Sequence, residues 1–172
     1  ASLIPSIASA EDTVDYAEII FGNVPQYTNM NERYANYMVA ATEQGRTGTK
    51  SVKDAGGDSM WLDINDNFMF DLPEDTPVDI TVEYFDKGNG HFNIHYDSHN
   101  PDKEWSGLAS NDVYKETEIV HLENTNEWKS HTFHIEDMRA ANRIYGGDLR
   151  LSVWSPTLRK SKEDVLWGSI KI

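Results

Sequence analysis

Residues 78–85 alternate in character: Val78, Ile80, Val82 and Tyr84 are apolar or aromatic, and Asp79, Thr81 and Glu83 between them are polar. A period of two sends successive side chains to opposite faces of an extended strand, so this run is a strand with one buried face. Asp86-Lys87-Gly88-Asn89-Gly90 is a turn-forming cluster. Beyond it Phe92, Ile94 and Tyr96 alternate with His91, Asn93 and His95. Two alternating runs around such a cluster predict a β-hairpin.

The same pattern governs the rest of the C-terminal half. Residues 118–122 form a short strand, 124–127 a turn, and 128–135 a strand with His131, Phe133 and Ile135 on one side. Leu149, Leu151 and Val153 alternate with Arg150, Ser152 and Trp154, and residues 165–172 supply a last strand. Earlier, residues 59–70 read as one or two strands broken near Asn65-Asp66-Asn67. Helix formers at 31–44 and 137–143 are the two places where a short helix is expected. Many short strands separated by turns predict an all-β fold, a two-sheet antiparallel β-sandwich of jelly-roll type with at most one or two short helices.

With 172 residues the chain suits one domain. Residues 1–10, small and polar with Pro5, are expected to be a linker or boundary, and 11–172 the folded module. The 29 acids outnumber 15 bases, a net charge of −14, which disfavours nucleic acid and anionic membrane surfaces and favours a dispersed monomer. Apolar runs are too short to cross a bilayer as a helix. The absence of cysteine removes disulfides, thiol nucleophiles and thiolate metal sites.

Three stretches resemble a known class of module. Residues 82–98 (VEYFDKGNGHFNIHYDS) are similar to the central hairpin of β-sandwich carbohydrate-binding modules attached to bacterial polysaccharide-degrading enzymes. Residues 124–135 (NTNEWKSHTFHI) resemble the strand that follows, and 137–151 (DMRAANRIYGGDLRL) resemble an Asn-Arg and Gly-Gly-Asp-hydrophobic-Arg signature. The likeness spans a little under half of the chain. It implies a secreted or surface-displayed jelly-roll module that binds polysaccharide or oligosaccharide beside a catalytic domain, with calcium as a candidate structural ion.

Strand parity supplies candidate ligand-binding residues. If the apolar members face the core, the opposite faces hold Thr81, Glu83, Asn93, His95, Thr132, His134, Arg150, Ser152 and Trp154. Sugar recognition uses this mixture, an aromatic surface for C–H contact and polar groups for hydroxyls. Trp154 is the expected stacking surface, with Arg150, His95, Asn93, His134 and Glu83 as hydrogen-bonding groups. Trp105, in a polar loop, is expected to close one edge, with Tyr27 and Tyr34 as weaker candidates. Trp61, Trp128 and Trp167 are expected in the core. Asp63, Asn65 and Asp66, with Asn67, present oxygens for part of a calcium site, a run that also suits an ordinary turn. Glu11, Asp12 and Asp164 are weaker calcium ligands.

Two other readings compete with non-catalytic binding. A small polysaccharide lyase would use Glu83, His95, His134 and Arg150, the arginine neutralising a uronate and a histidine or tyrosine taking a proton. A spacer domain of a multidomain enzyme would need no ligand. No Gly-x-Ser-x-Gly elbow, His-Glu-x-x-His or phosphate loop occurs.

Overall fold

A computed structural model describes residues 14–35, 38–52, 58–100, 113–155 and 158–172. Fifteen strands run in chain order: β1 Glu18–Ile20, β2 Gln26–Thr28, β3 Met30–Tyr34, β4 Val39–Glu43, β5 Arg46–Lys50, β6 Ser59–Ile64, β7 Val78–Phe85 and β8 His91–Asp97, then β9 Tyr114–Glu116, β10 Val120–His121, β11 Trp128–Ile135, β12 Leu149–Ser152, β13 Trp154–Ser155, β14 Arg159–Lys160 and β15 Leu166–Lys171. One sheet has the order β11-β7-β15-β1-β2, with the β4–β5 hairpin joined to the start of β15. The other has the order β10-β8-β12-β6-β3, with β9 pairing the end of β8. All pairings are antiparallel, and a two-stranded β13–β14 ribbon stands apart. This is the two-sheet sandwich that the alternation predicts.

The inner faces interdigitate. Ile80, Val82, Phe133, Ile19, Ile170 and Trp167 from the first sheet meet Phe92, Ile94, Leu149, Leu151, Met60, Leu62 and Ile64 from the second, all fully buried. Phe92 lies at the centre, its ring 5.0 Å from Tyr84, 6.3 Å from Phe133 and 6.4 Å from Trp167, each in an edge-on arrangement. Each such buried side chain contributes about 1.5–3 kcal/mol by leaving water.

The strand pair around residues 86–90 is not a hairpin. β7 pairs with β11 and β15, while β8 pairs with β12, β9 and β10, so the connection crosses from one sheet to the other. Alternation alone does not separate the two cases, because both strands bury one apolar face whichever sheet they join. Asp86 fixes the crossing. Its fully buried carboxylate accepts the amides of Glu123, Asn124 and Thr125, the Thr125 hydroxyl and the Lys129 ammonium, tying this connection to the one between β10 and β11. Burial works to raise its pKa, but these donors pull it far below the carboxylate range.

Neither expected helix forms among the described residues. Residues 31–44 instead become β3 and β4, and Gln44 and Gly45 adopt φ of 48° and 75° in the two-residue turn to β5. Residues 137–143 stay irregular. Ala140 and Asn142 sit at positive φ, which a helix does not admit, because buried carboxylates hold this loop from outside.

Candidate functional site

On β8 the inward residues Phe92, Ile94 and Tyr96 leave His91, Asn93, His95 and Asp97 on the outer face, yet all seven residues of the strand are buried. The outer face of this strand is therefore covered rather than washed by solvent. Tyr114 stacks on the His95 ring at 4.7 Å and 13°, and the Trp154 ring meets it edge-on at 6.3 Å. His91 lies against the β13–β14 ribbon, its Nε2 3.3 Å from the Arg159 carbonyl.

Register places one row of side chains across five strands. Glu116 opposes His95, His95 opposes Arg150, Arg150 opposes Trp61, and Trp61 opposes Tyr34. Four interstrand spacings of about 4.8 Å make the row roughly 19 Å long. Arg150 is its centre. The guanidinium carbon lies 5.2 Å from the Trp61 ring and 5.8 Å from the Trp154 ring, and Nε donates to the Ser59 hydroxyl at 2.8 Å. Burial between the indoles lowers its pKa below the usual arginine value. A pocket of about 210 Å³ opens above it, lined by Asp58, Tyr114, Arg150 and Trp154.

Toward β3 the row ends in aromatics. Tyr34 and Tyr145 stand perpendicular to Trp61, at 6.4 Å and 5.8 Å, and are 50% and 55% exposed. Three tyrosine and tryptophan rings thus meet where a sugar's C–H face could lie. Tyr145 arrives on the loop 137–148, which two buried carboxylates hold. Asp97 accepts the amides of Ala141 and Arg143 and the Arg143 guanidinium. Asp148 accepts the amides of Ile64 and Asn142 at 3.0 and 2.9 Å. Burial, with the charges of Asp63 and Asp97, raises the Asp148 pKa to about 7 against the pull of those amides. Gly147 is required here, since a Cβ would lie 2.5 Å from the Leu62 carbonyl oxygen.

Beneath the aromatic surface lie polar groups with unmet capacity. Asn93 donates to Glu116 at 3.2 Å, but its Oδ1 is buried with no hydrogen-bond partner. Both His95 ring nitrogens are buried without a hydrogen bond of normal geometry, Nε2 lying 3.8 Å from Glu116. Burial, aided by the Arg150 charge, lowers the His95 pKa to about 3, so the ring is neutral at ordinary pH.

Of the residues expected to bind, Trp154, Arg150, His95 and Asn93 are brought together here. Glu83 and His134 are not. Both lie on the outer face of the other sheet, Glu83 holding Arg46 and the Ser169 hydroxyl, and His134 bonded to Asp79 at 2.6 Å with its side chain 75% exposed. Parity assigns a face but not a sheet, which is why these two were grouped with the rest. Hydrogen bonds from Arg46 and then Ser169 lower the Glu83 pKa against its burial. Trp105, Glu11 and Asp12 lie outside the described residues.

Trp167 is fully buried, as expected of a core residue. Trp128 is half-buried under the Arg46 guanidinium at 4.4 Å, with Nε1 donating to the Glu43 carbonyl. Trp61 departs from its expected core place and belongs to the outer row. Its parity signal was present, because Met60, Leu62 and Ile64 around it are the inward residues. Tyr114, Glu116, Asp58 and Tyr145 carried no comparable signal, since short strands and loops bring them to the face.

Asp63, Asn65 and Asp66 line a polar cleft of about 650 Å³ with Asn31, Arg33 and Asn142. Asp63 lies 3.9 Å from the Arg33 guanidinium, Asn65 Oδ1 accepts the Asn67 amide, and Asp66 accepts the Asn142 side-chain amide. A calcium ion would have to displace these contacts and sit beside a cation. Among the described residues no three Asp, Glu or His side chains gather as a metal-holding group. The set fits a turn closed by its own hydrogen bonds better than it fits calcium.

No protein-family model matches the sequence, and no curated protein matches it. Solved structures with a similar chain path include a family 29 carbohydrate-binding module, 11% identical over 92% of this chain and 88% of that one, with a TM-score of 0.46. A mutant of the module CBM29-2 complexed with mannohexaose is 10% identical over 91% and 89%, and another complexed with cellulohexaose is 11% identical over 92% of each chain, both with a TM-score of 0.46. Similarity at this level assigns neither family nor ligand, so a function for this chain has to come from its own outer face.

Proposed function

We propose that this chain is a non-catalytic carbohydrate-binding module whose platform is the outer face of the six-stranded sheet. The row Glu116–His95–Arg150–Trp61–Tyr34 is the observation that supports it, flanked by Trp154 and Tyr145. Aromatic surface is combined there with the guanidinium of Arg150. Its length, roughly 19 Å over four interstrand spacings, accommodates a short stretch of a glycan chain rather than one sugar. In a larger secreted protein such a module would hold an attached glycoside hydrolase or lyase near its polysaccharide, with avidity supplied by linkage.

A lyase reading needs a base in reach of a substrate proton. His95 does not meet that need, because both ring nitrogens are buried under Tyr114 and Trp154 and the imidazole binds a proton only near pH 3. Glu83 and His134, on the other sheet, are too far away to assist.

Affinity electrophoresis against a panel of soluble polysaccharides tests the proposal. Trp61→Ala and Trp154→Ala should each weaken retardation by the best ligand roughly 10-fold or more, the scale of one lost aromatic contact with its desolvation. Trp128→Ala, on the other sheet, should leave it unchanged. Binding that survives both substitutions would move the site elsewhere. A glycan that is shortened during the assay, with the ultraviolet absorbance of a new double bond, would replace binding by lyase chemistry.

A further inference from the structure

Among the described arginines, Arg150 and the exposed Arg159 make no ion pair with a carboxylate, and of these two only Arg150 is half-buried. Arg33, Arg46, Arg139 and Arg143 each contact a carboxylate, on Asp63, Glu83, Asp71 and Asp97 respectively. Arg150, half-buried between two indoles, has no such partner among the described residues. Its Nε is anchored on Ser59, and no hydrogen bond from its Nη atoms to a described residue accompanies that contact; the residue lines a pocket with Asp58, Tyr114 and Trp154. A desolvated charge is normally paired. A guanidinium anchored through Nε can offer its remaining edge as two parallel N–H donors, the geometry that matches a carboxylate.

We propose that this pocket receives the carboxylate of an acidic sugar, so that the glycan recognised by the face is one containing uronate residues. The inference rests on the carbohydrate-binding reading above and names its ligand class. The uronate carboxylate would take the Arg150 fork, while the sugar ring lies against Trp154. Asp58, beyond ion-pair contact with Arg150, accepts a hydroxyl of the same or the neighbouring residue. The net charge of −14 opposes a polyanion at long range. Screening beyond about 8 Å at physiological ionic strength leaves the local contact to decide.

The test compares each acidic chain with its own neutral counterpart. Oligogalacturonate, oligoglucuronate and oligoalginate are titrated by calorimetry beside the same oligosaccharides after carboxyl reduction. At least one acidic chain should bind, and its reduced form should bind about 10–100-fold more weakly, as expected for one bidentate charged contact. Arg150→Lys, which keeps the charge and loses the fork, should weaken the acidic chain about 10-fold and the reduced chain by clearly less, so that the ratio between the two falls. Equal binding of acidic and reduced chains, or binding of neutral glycans alone, would overturn the uronate inference and leave the module reading standing. Binding of a sulfated galactan and no uronate would also overturn it. If no glycan of any class binds, the module reading fails as well.

Discussion

Replacing Arg143 with methionine is expected to lower the stability of the domain by about 3–5 kcal/mol. Asp97 is fully buried, and the Arg143 guanidinium reaches it through Nε at 2.9 Å and Nη2 at 2.5 Å. The same nitrogen also donates to the Ser98 carbonyl at 2.9 Å. Methionine fills much of the volume but leaves a buried carboxylate held, among the described residues, by no more than the amides of Ala141 and Arg143. For a domain of this size each kcal/mol moves Tm by about 2–4 °C, so scanning calorimetry should show a fall on the order of 10 °C. The double variant Asp97→Asn with Arg143→Met should recover more than half of the loss, because the cost lies in the unpaired charge. A single variant within 1 kcal/mol of the parent would mean that water reaches Asp97 and that the loop is not held as described. Glycan binding should fall too, since this loop carries Tyr145 to Trp61.

The Asn-Arg and Gly-Gly-Asp portions of the sequence signature thus find structural explanations before functional ones. Arg143 neutralises Asp97, Gly147 makes room for the Leu62 carbonyl, and Asp148 closes the loop on β6. The arginine that follows, Arg150, makes no ion pair with a carboxylate among the described residues and is the one proposed to meet a ligand. Alternation was sufficient to place Phe92, Ile94, Leu149 and Leu151 in the core and Asn93, His95 and Arg150 opposite them, because a strand's period of two is a local property. Which sheet a strand joins is not local. The segment 86–90 has the composition of a hairpin turn and is a crossover, and its anchor, the contact of Asp86 with residues 123–125, lies far along the chain. The same blindness merged Glu83 and His134 with a site on the opposite side of the sandwich. Trp61 was missed for a different reason: a large aromatic was assigned to the core by type, although its neighbours' parity pointed outward. Tyr114 and Tyr145 were beyond reach, since a three-residue strand and a loop with Tyr145 itself at a φ of 50° leave no periodic signature.

Two buried groups near this face should give the pH profile of stability two opposed components. The His95 pKa is lowered from 6.5 to about 3, so between those limits the unfolded chain binds the proton that the folded chain refuses, and stability rises with pH. The Asp148 pKa is raised from 3.8 to about 7, so over that interval the folded chain holds the extra proton and stability falls as pH rises. Each contributes up to about 1.4 kcal/mol per pH unit, and between pH 4 and 6.5 the two nearly cancel. His95→Gln should therefore expose a falling profile, losing about 3 kcal/mol relative to the parent's profile across that window, and Asp148→Asn should expose a rising one of similar size. The neighbours that set these values, Arg150 for His95 and Asp63 and Asp97 for Asp148, remain in both variants. The smaller shifts of His91, downward by burial, and of Glu32 and Asp63, upward by burial, are common to all three proteins and drop out of the differences. Asp148→Asn also loses one acceptor for the amides of Ile64 and Asn142, which lowers the whole curve without tilting it. Urea denaturation at half-unit pH steps reads both slopes. Parallel profiles for parent and variants would show that His95 and Asp148 exchange protons with solvent as freely as in the unfolded chain. Opposite tilts would show that the imidazole under Tyr114 stays uncharged above about pH 4, leaving Arg150 the one cation in the proposed binding row.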